Sequence, residues 1–329
     1  MADDNDDLWR AFPKTAIEFE RRFSSEDACI AYWIQVRWGA EPACARCAST
    51  RVWVERDGRL FECATCGHQT SLTSGTVLEG TRKPFKVWFR AVFEISSRKN
   101  GISAKELQRI LGFGSYETAW TWLHKIRGSL KRPGRQLLGE GVEIDEAFVG
   151  GKRLGKSMVL VATETDGRVR LAHALTNDAE TLMAFADANL AADAAVTSDG
   201  HAGYNATSLG KRAHEPIVQT NAERAVSDTL QRAHWSVSML KRWLMGTHAG
   251  AVKARHLQAY LDEFVFRWNR RKTKGVGRIS ARTIEMLVSH STRTMRAIVD
   301  GARPYPLFMP PAQALPDGRG HAWLPPLST

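Results

Sequence analysis

Asp145, Asp199, His234 and Lys241 are the residues whose types and spacing could do chemistry. His234 and Lys241 fall in DTLQRAHWSVSMLKRWLMG (228–246), where Leu230, Ala233, Val237, Leu240 and Leu244 recur at steps of three and four. That spacing predicts a helix with an apolar packing stripe. His234 and Lys241 lie seven residues apart, and seven steps of roughly 100° return a side chain to within about 20° of its starting direction, two turns along. Both can overlook one cavity. Asp145 sits in the alternating run VEIDEAFVG, which places Val142, Ile144 and Phe148 on one face of a strand and Glu143, Asp145 and Ala147 on the other. AAVTSDG reads as a further strand ending at Asp199, 35 positions before His234.

Two carboxylates and an imidazole in such places suit phosphodiester chemistry. Cleavage and strand transfer both need a deprotonated attacking oxygen and a stabilised leaving oxygen, and two divalent cations about 3.5–4 Å apart supply both. Mg²⁺ and Mn²⁺ favour oxygen ligands, so a mid-strand aspartate and a strand-end aspartate are suitable partners. His234 would complete the set as a neutral ligand or as a positioner of water or phosphate. Lys241 would present a point charge to a DNA phosphate. Each residue also has a plain reading, as a strand-edge acid, a turn, a surface histidine or a solvated helix face. Only their joint order lifts them. Glu143 shares Asp145's face about 7 Å further along the strand and can assist; Glu146, on the opposite face, and Glu223 read as structural.

A second chemical feature lies upstream. CARCASTRVWVERDGRLFECATC (44–66) holds two C-x-x-C pairs, Cys44 with Cys47 and Cys63 with Cys66, separated by fifteen residues. Four thiolates complete the tetrahedral shell of Zn²⁺ and leave no position open, so the predicted role is structural. Asp57-Gly58 is a hairpin signal between RVWVE and RLFEC that would bring the pairs together. A redox reading of the pairs lacks the βαβ context it requires. Cys29, within an apolar helix, reads as packing.

The elements that must position these groups follow from the rest of the chain. The 329 residues, 43% of them hydrophobic, have room for two or three domains. No run approaches the roughly 18 apolar residues of a membrane span, and the acidic start MADDNDDLWR is unlike a secretory signal. A cytoplasmic, nucleoid-associated protein is expected. A net charge of +11 favours a polyanion such as nucleic acid. Residues 1–39 read as an acidic start and a helix, 40–80 as a zinc ribbon, 81–135 as helical, 136–275 as a catalytic domain and 276–329 as a tail without legible chemistry. Within the helical stretch, Ser103 and Glu106 form a capping box, Gly112 to Gly114 break the chain, and a second helix ends in His124, Lys125 and Arg127. That is the outline of a helix-turn-helix, or of a plain helical spacer. After the linker around Pro133-Gly134, strands in a row followed by alternating helices and strands describe an α/β domain, a mixed sheet flanked by helices in the ribonuclease-H-like order. Lys125, Arg127, Lys241, Arg242, Arg270 and Arg271 are candidate phosphate contacts.

CARC and CATC, VEIDEAFVGGK, TSDGHAGY, HWSVSMLKRWLMGTHAG and HLQAYLDEFVFRWNRR together resemble the DDE-type transposases of the bacterial insertion-sequence family numbered fifteen-ninety-five, over about residues 20–275. The resemblance implies a zinc ribbon, a helix-turn-helix and a ribonuclease-H-like domain that cuts and joins DNA ends with Mg²⁺ or Mn²⁺. It makes Asp145 and Asp199 the metal-binding aspartates, puts His234 at the third position, where glutamate is common but asparagine or histidine is admitted, and Lys241 at the lysine seven residues on. The implied partners are double-stranded DNA, as inverted-repeat ends and as target, and further copies of the chain in a homodimer or higher oligomer. A catalytically inactive DNA-binding protein, or a nuclease of the same fold that does not transpose, are the alternatives.

Overall fold

The computed structural model describes residues 11–39, 42–44, 46–54, 60–132, 134–151, 155–217, 230–250 and 252–301. The Asp57-Gly58 turn, Pro133, Glu223 and the acidic N-terminus fall outside them. Among the described residues two compact units emerge, one within 11–97 with 275–292 and one within 98–274 with 293–301.

In the first unit, helix α1 (Ala16–Arg22) opens with a complete capping box between Thr15 and Glu18, and α2 (Glu26–Trp38) opens on Ser25. Both caps satisfy amides that the first turn leaves without partners. Strands β1 (Val52–Val54), β2 (Leu60–Cys63) and β3 (Gln69–Ser71) form an antiparallel sheet in that order. Helix α3 (Phe85–Ser97) buries Trp88, Phe89, Val92 and Phe93. Phe12, Phe19, Phe23, Tyr32, Phe89 and Phe93 form one aromatic core, with Phe19 stacked on Phe93 at 4.6 Å between centroids. Helix α10 (Val276–Ser289), in the stretch predicted to be a tail, packs on α2 and α3. Its Gly277 lies so close to the Phe12 carbonyl that any Cβ there would collide with backbone.

The second unit begins with α4 (Ala104–Leu111) and α5 (Tyr116–Ser129). Ser103 accepts from the Glu106 amide at 3.2 Å, but the Glu106 carboxylate pairs with Arg98 at 2.7 Å rather than closing the predicted box. Gly112 ends α4 in the left-handed region (φ +63°), a conformation that suits glycine.

Among the described residues five strands follow as a mixed sheet: β4 (Val142–Gly151), β5 (Gly155–Thr163), β6 (Val169–Ala174), β7 (Ala195–Ser198) and β8 (Ala213–Pro216). Their order is β6-β5-β4-β7-β8, antiparallel among β4, β5 and β6 and parallel from β4 through β7 to β8. The strand period of two separates the faces. Val142 and Ile144 pack with α6 (Ala179–Asn189) and α7 (Ala206–Leu209) through Leu182, Phe185 and Leu209. Ala147 and Val149 pack on the other side with α8 (Gln231–His248) and α9 (Leu257–Trp268). A short helix α11 (Met295–Asp300) contacts α5. Among the described residues no helix is long and apolar enough to cross a membrane.

A buried polar cluster surrounds Tyr260 in this unit. Glu263 accepts from Arg127 at 2.6 Å and from Arg267 at 2.8 Å, with Arg127 and Glu263 both 3% exposed. Burial would raise the Glu263 carboxyl, but these two guanidinium groups hold it down to about 2. His124 and His248 are lowered as well, to about 2 and about 4, by burial first and then by Arg127, with His256 and Arg293 facing His124 and Arg267 facing His248. The unfolded chain therefore binds protons at both histidines more tightly than the folded one does. Their stabilising contribution is complete above pH 6.5 and declines as pH falls below it. Each imidazole should cost about 2 kcal/mol of stability between pH 7 and pH 5. Denaturant unfolding of the second unit at the two pH values checks this, and a flat profile contradicts it.

Candidate active site

The parallel register of β4 with β7 pairs Glu143 with Thr197. Two residues further, Asp145 and Asp199 lie at the same level, on strands that neighbour each other at about 4.8 Å. β7 ends at Ser198, so Asp199 leaves the strand there; its Oδ1 accepts from the His201 amide at 3.0 Å. The Asp145 side chain is 14% exposed, and its Oδ1 accepts from the Glu146 amide at 2.8 Å. Ligand atoms of Asp145, Glu146 and Asp199 all lie within 4.8 Å of one another. His234, in the first turn of α8 and 54% exposed, brings Nε2 to 3.4 Å from Asp145 Oδ2. Of the residues singled out from the sequence, Asp145 thus meets Asp199 and, separately, His234, while the group within 4.8 Å does not include His234. Lys241 is exposed on α8, two turns beyond His234.

Burial raises the Asp145 carboxyl above its usual range, with repulsion from Asp199 adding to it; the Glu146 amide and His234 oppose the rise. Burial likewise raises the Glu146 carboxyl, against the hydrogen bond donated by the Tyr204 hydroxyl at 2.7 Å. Crowded, partly desolvated oxygens of this kind are what a hard divalent cation would relieve.

Glu146 is the site residue that period-two reasoning sets aside. It does belong to the opposite face of β4. Past Glu143, however, no residue of β7 is registered against β4, and side chains from both faces can turn around the open edge toward Asp199. The legible signal was the pair of adjacent acids at the point where the neighbouring strand stops.

The cysteines form a second centre, in the first unit. The Sγ atoms of Cys44 and Cys66 lie 3.7 Å apart and those of Cys47 and Cys63 3.5 Å apart. A tetrahedron with Zn–S bonds of about 2.3 Å has edges of about 3.8 Å, so the cluster fits a structural zinc ion. Both knuckles are built alike: Ala48 donates to the Cys44 carbonyl and Gly67 to the Cys63 carbonyl, each at 2.9 Å. Both donors are left-handed, at φ +57° and +67°. Cys29 is fully buried away from them, its thiol pushed up to about 12 by burial.

The remaining basic residues divide. Arg127 is withdrawn from any phosphate, because it is buried in its pair with Glu263. Lys125 is half-buried and Arg242 exposed. Arg270 stacks over Phe266, and Arg271 lies over Trp268 while donating to the Gly167 carbonyl at 3.1 Å.

Residues 136–269, which contain this acidic site, match the ISXO2-like transposase domain, and residues 24–69, which contain the cysteine cluster, match the transposase zinc-ribbon domain. These two matches indicate a transposase. Over these two stretches the chain is similar to the ISXO2-like transposases. No curated protein matches the sequence.

Proposed function

We propose that the chain binds the ends of its own insertion sequence and catalyses divalent-metal-dependent DNA cleavage and strand transfer. The observation that carries this reading is the convergence of Asp145, Glu146 and Asp199 within 4.8 Å, with His234 3.4 Å from Asp145, inside a transposase domain. Bound Mg²⁺ or Mn²⁺ would activate the attacking oxygen and stabilise the leaving one. Asp145, Asp199 and Glu146 supply oxygen ligands, and Tyr204 orients the Glu146 carboxylate by its hydrogen bond. His234 ligates through a neutral nitrogen or orients the scissile phosphate beside Asp145. Lys241 and Arg242 offer exposed charges to the DNA backbone along α8. The sheet order supports a ribonuclease-H-like catalytic domain. The α4-turn-α5 pair is read as a helix-turn-helix that, with the zinc ribbon, contacts double-stranded end DNA, the active species being a homodimer or higher oligomer at the nucleoid.

The test is an assay on a plasmid carrying the inverted repeats that flank the gene, with Mg²⁺ or Mn²⁺ and with EDTA. Metal-dependent nicking followed by joined products is expected. Nicks without joining would indicate a nuclease, and binding without nicks an inactive DNA-binding protein.

A further inference from the structure

Helix α8 carries His234, yet among the described residues its own N-terminal segment offers it no side-chain cap. Leu230, at the N-cap position, is left-handed (φ +58°) and contributes no side-chain hydrogen bond. The first-turn amides of a helix otherwise lack partners, and its N-terminus attracts negative charge. Glu143 supplies both needs from a different element. Its Oε2 accepts from the Ala233 amide at 2.9 Å, and its Oε1 pairs with Arg232 Nη2 at 3.0 Å. The same Arg232 nitrogen donates to the Gly141 carbonyl at 3.0 Å, so residues 232 and 233 are both tied to the start of β4. The next residue is His234.

The geometry points to Glu143 as a positioning residue, a carboxylate clamp that holds the first turn of α8 against β4 and thereby sets His234 beside Asp145. Glu143 and Asp145 are two residues apart on one face of one strand, so a single rigid element bears both the ligand and the support of its neighbour. Glu143 is not itself a ligand. It is 8% exposed, and both of its oxygens are committed, one to the amide and one to the guanidinium. Residues that orient a ligating histidine typically change metal affinity 10- to 100-fold when removed.

The inference rests on the metal-dependent reading above, and its test is chosen to separate the two. Mn²⁺ affinity and cleavage rate are measured for the full chain, for E143A, E143Q and H234A, and for the double variant of E143A with H234A. E143A should weaken Mn²⁺ binding and slow cleavage by about tenfold or more. E143Q, whose amide oxygen still accepts from Ala233, should stay within about threefold of the parent. In the H234A background, E143A should change either quantity less than about twofold, because residues that act as a unit are not additive. Full additivity, an unchanged E143A, or an E143Q as defective as E143A would overturn the clamp, the last by making Glu143 a direct ligand. A parent chain that binds Mn²⁺ but never cuts DNA removes the transposition chemistry and leaves the clamp to stand on the affinities. A parent that binds no Mn²⁺ removes both.

Discussion

Asp145→Ala is expected to lower metal-dependent cleavage roughly a thousandfold or more while leaving DNA binding unchanged. Cation-held charge stabilisation contributes several kcal/mol to such a transition state, and each 1.36 kcal/mol is tenfold in rate. Asp145 is the carboxylate on which the site centres, within reach of Glu146, Asp199 and His234 at once. The substitution should not unfold the protein. Burial and the neighbouring Asp199 already disfavour the ionised Asp145, so its removal relieves repulsion, and the melting temperature should hold or rise. Asp145→Asn, which keeps the shape and most of the hydrogen bonding, should be as inactive as the alanine variant. Quantified nicking on end-bearing DNA and a thermal melt decide the matter: cleavage within tenfold of the parent would exclude Asp145 from catalysis.

Removing zinc should have the largest effect on the first unit. Among the described residues, β1, β2 and β3 contain three, four and three residues, too little sheet to bury a sufficient core, and short units of this kind draw their folding energy from the metal. Binding to four thiolates is of the order of 10 kcal/mol, so a strong chelator should unfold the ribbon outright. One zinc ion per chain is expected by metal analysis. Chelation, or Cys44→Ser, should bring rapid proteolysis between residues 43 and 72. A ribbon that stays protease-resistant and keeps its strand signal after losing the metal would contradict this.

The candidate site was legible where a local pattern and a neighbour's register agree. Alternation in VEIDEAFVG put Asp145 on the face that packs with α8, and the three- and four-residue steps of Leu230, Ala233, Val237, Leu240 and Leu244 gave that helix its buried side. The C-x-x-C spacing carried its own geometry, and the thiols meet as tetrahedral edges demand. What failed to show depends on where a different strand stops or which groups are buried. Glu146 joins Asp199 only because β7 ends at Ser198, and Arg127 is lost to DNA only because Glu263, 136 positions away, meets it in the interior. The role of Glu143 needed the approach of α8, which no period reveals. Helix α10 went unseen because its neighbours are α2 and α3, far off along the chain.

That last helix has a consequence for biosynthesis. The aromatic core built from residues 12–93 is completed by a segment that leaves the ribosome only after the whole five-stranded sheet has been made. At roughly 5–20 residues per second, the early segments wait at least several seconds for their last partner. An N-terminal fragment ending before Val276 would lack the helix whose Leu287 carbonyl receives the Val77 amide at 3.0 Å. The sheet can mature during elongation, whereas the cysteine-bearing unit reaches its final form only after the sheet-bearing stretch has been made.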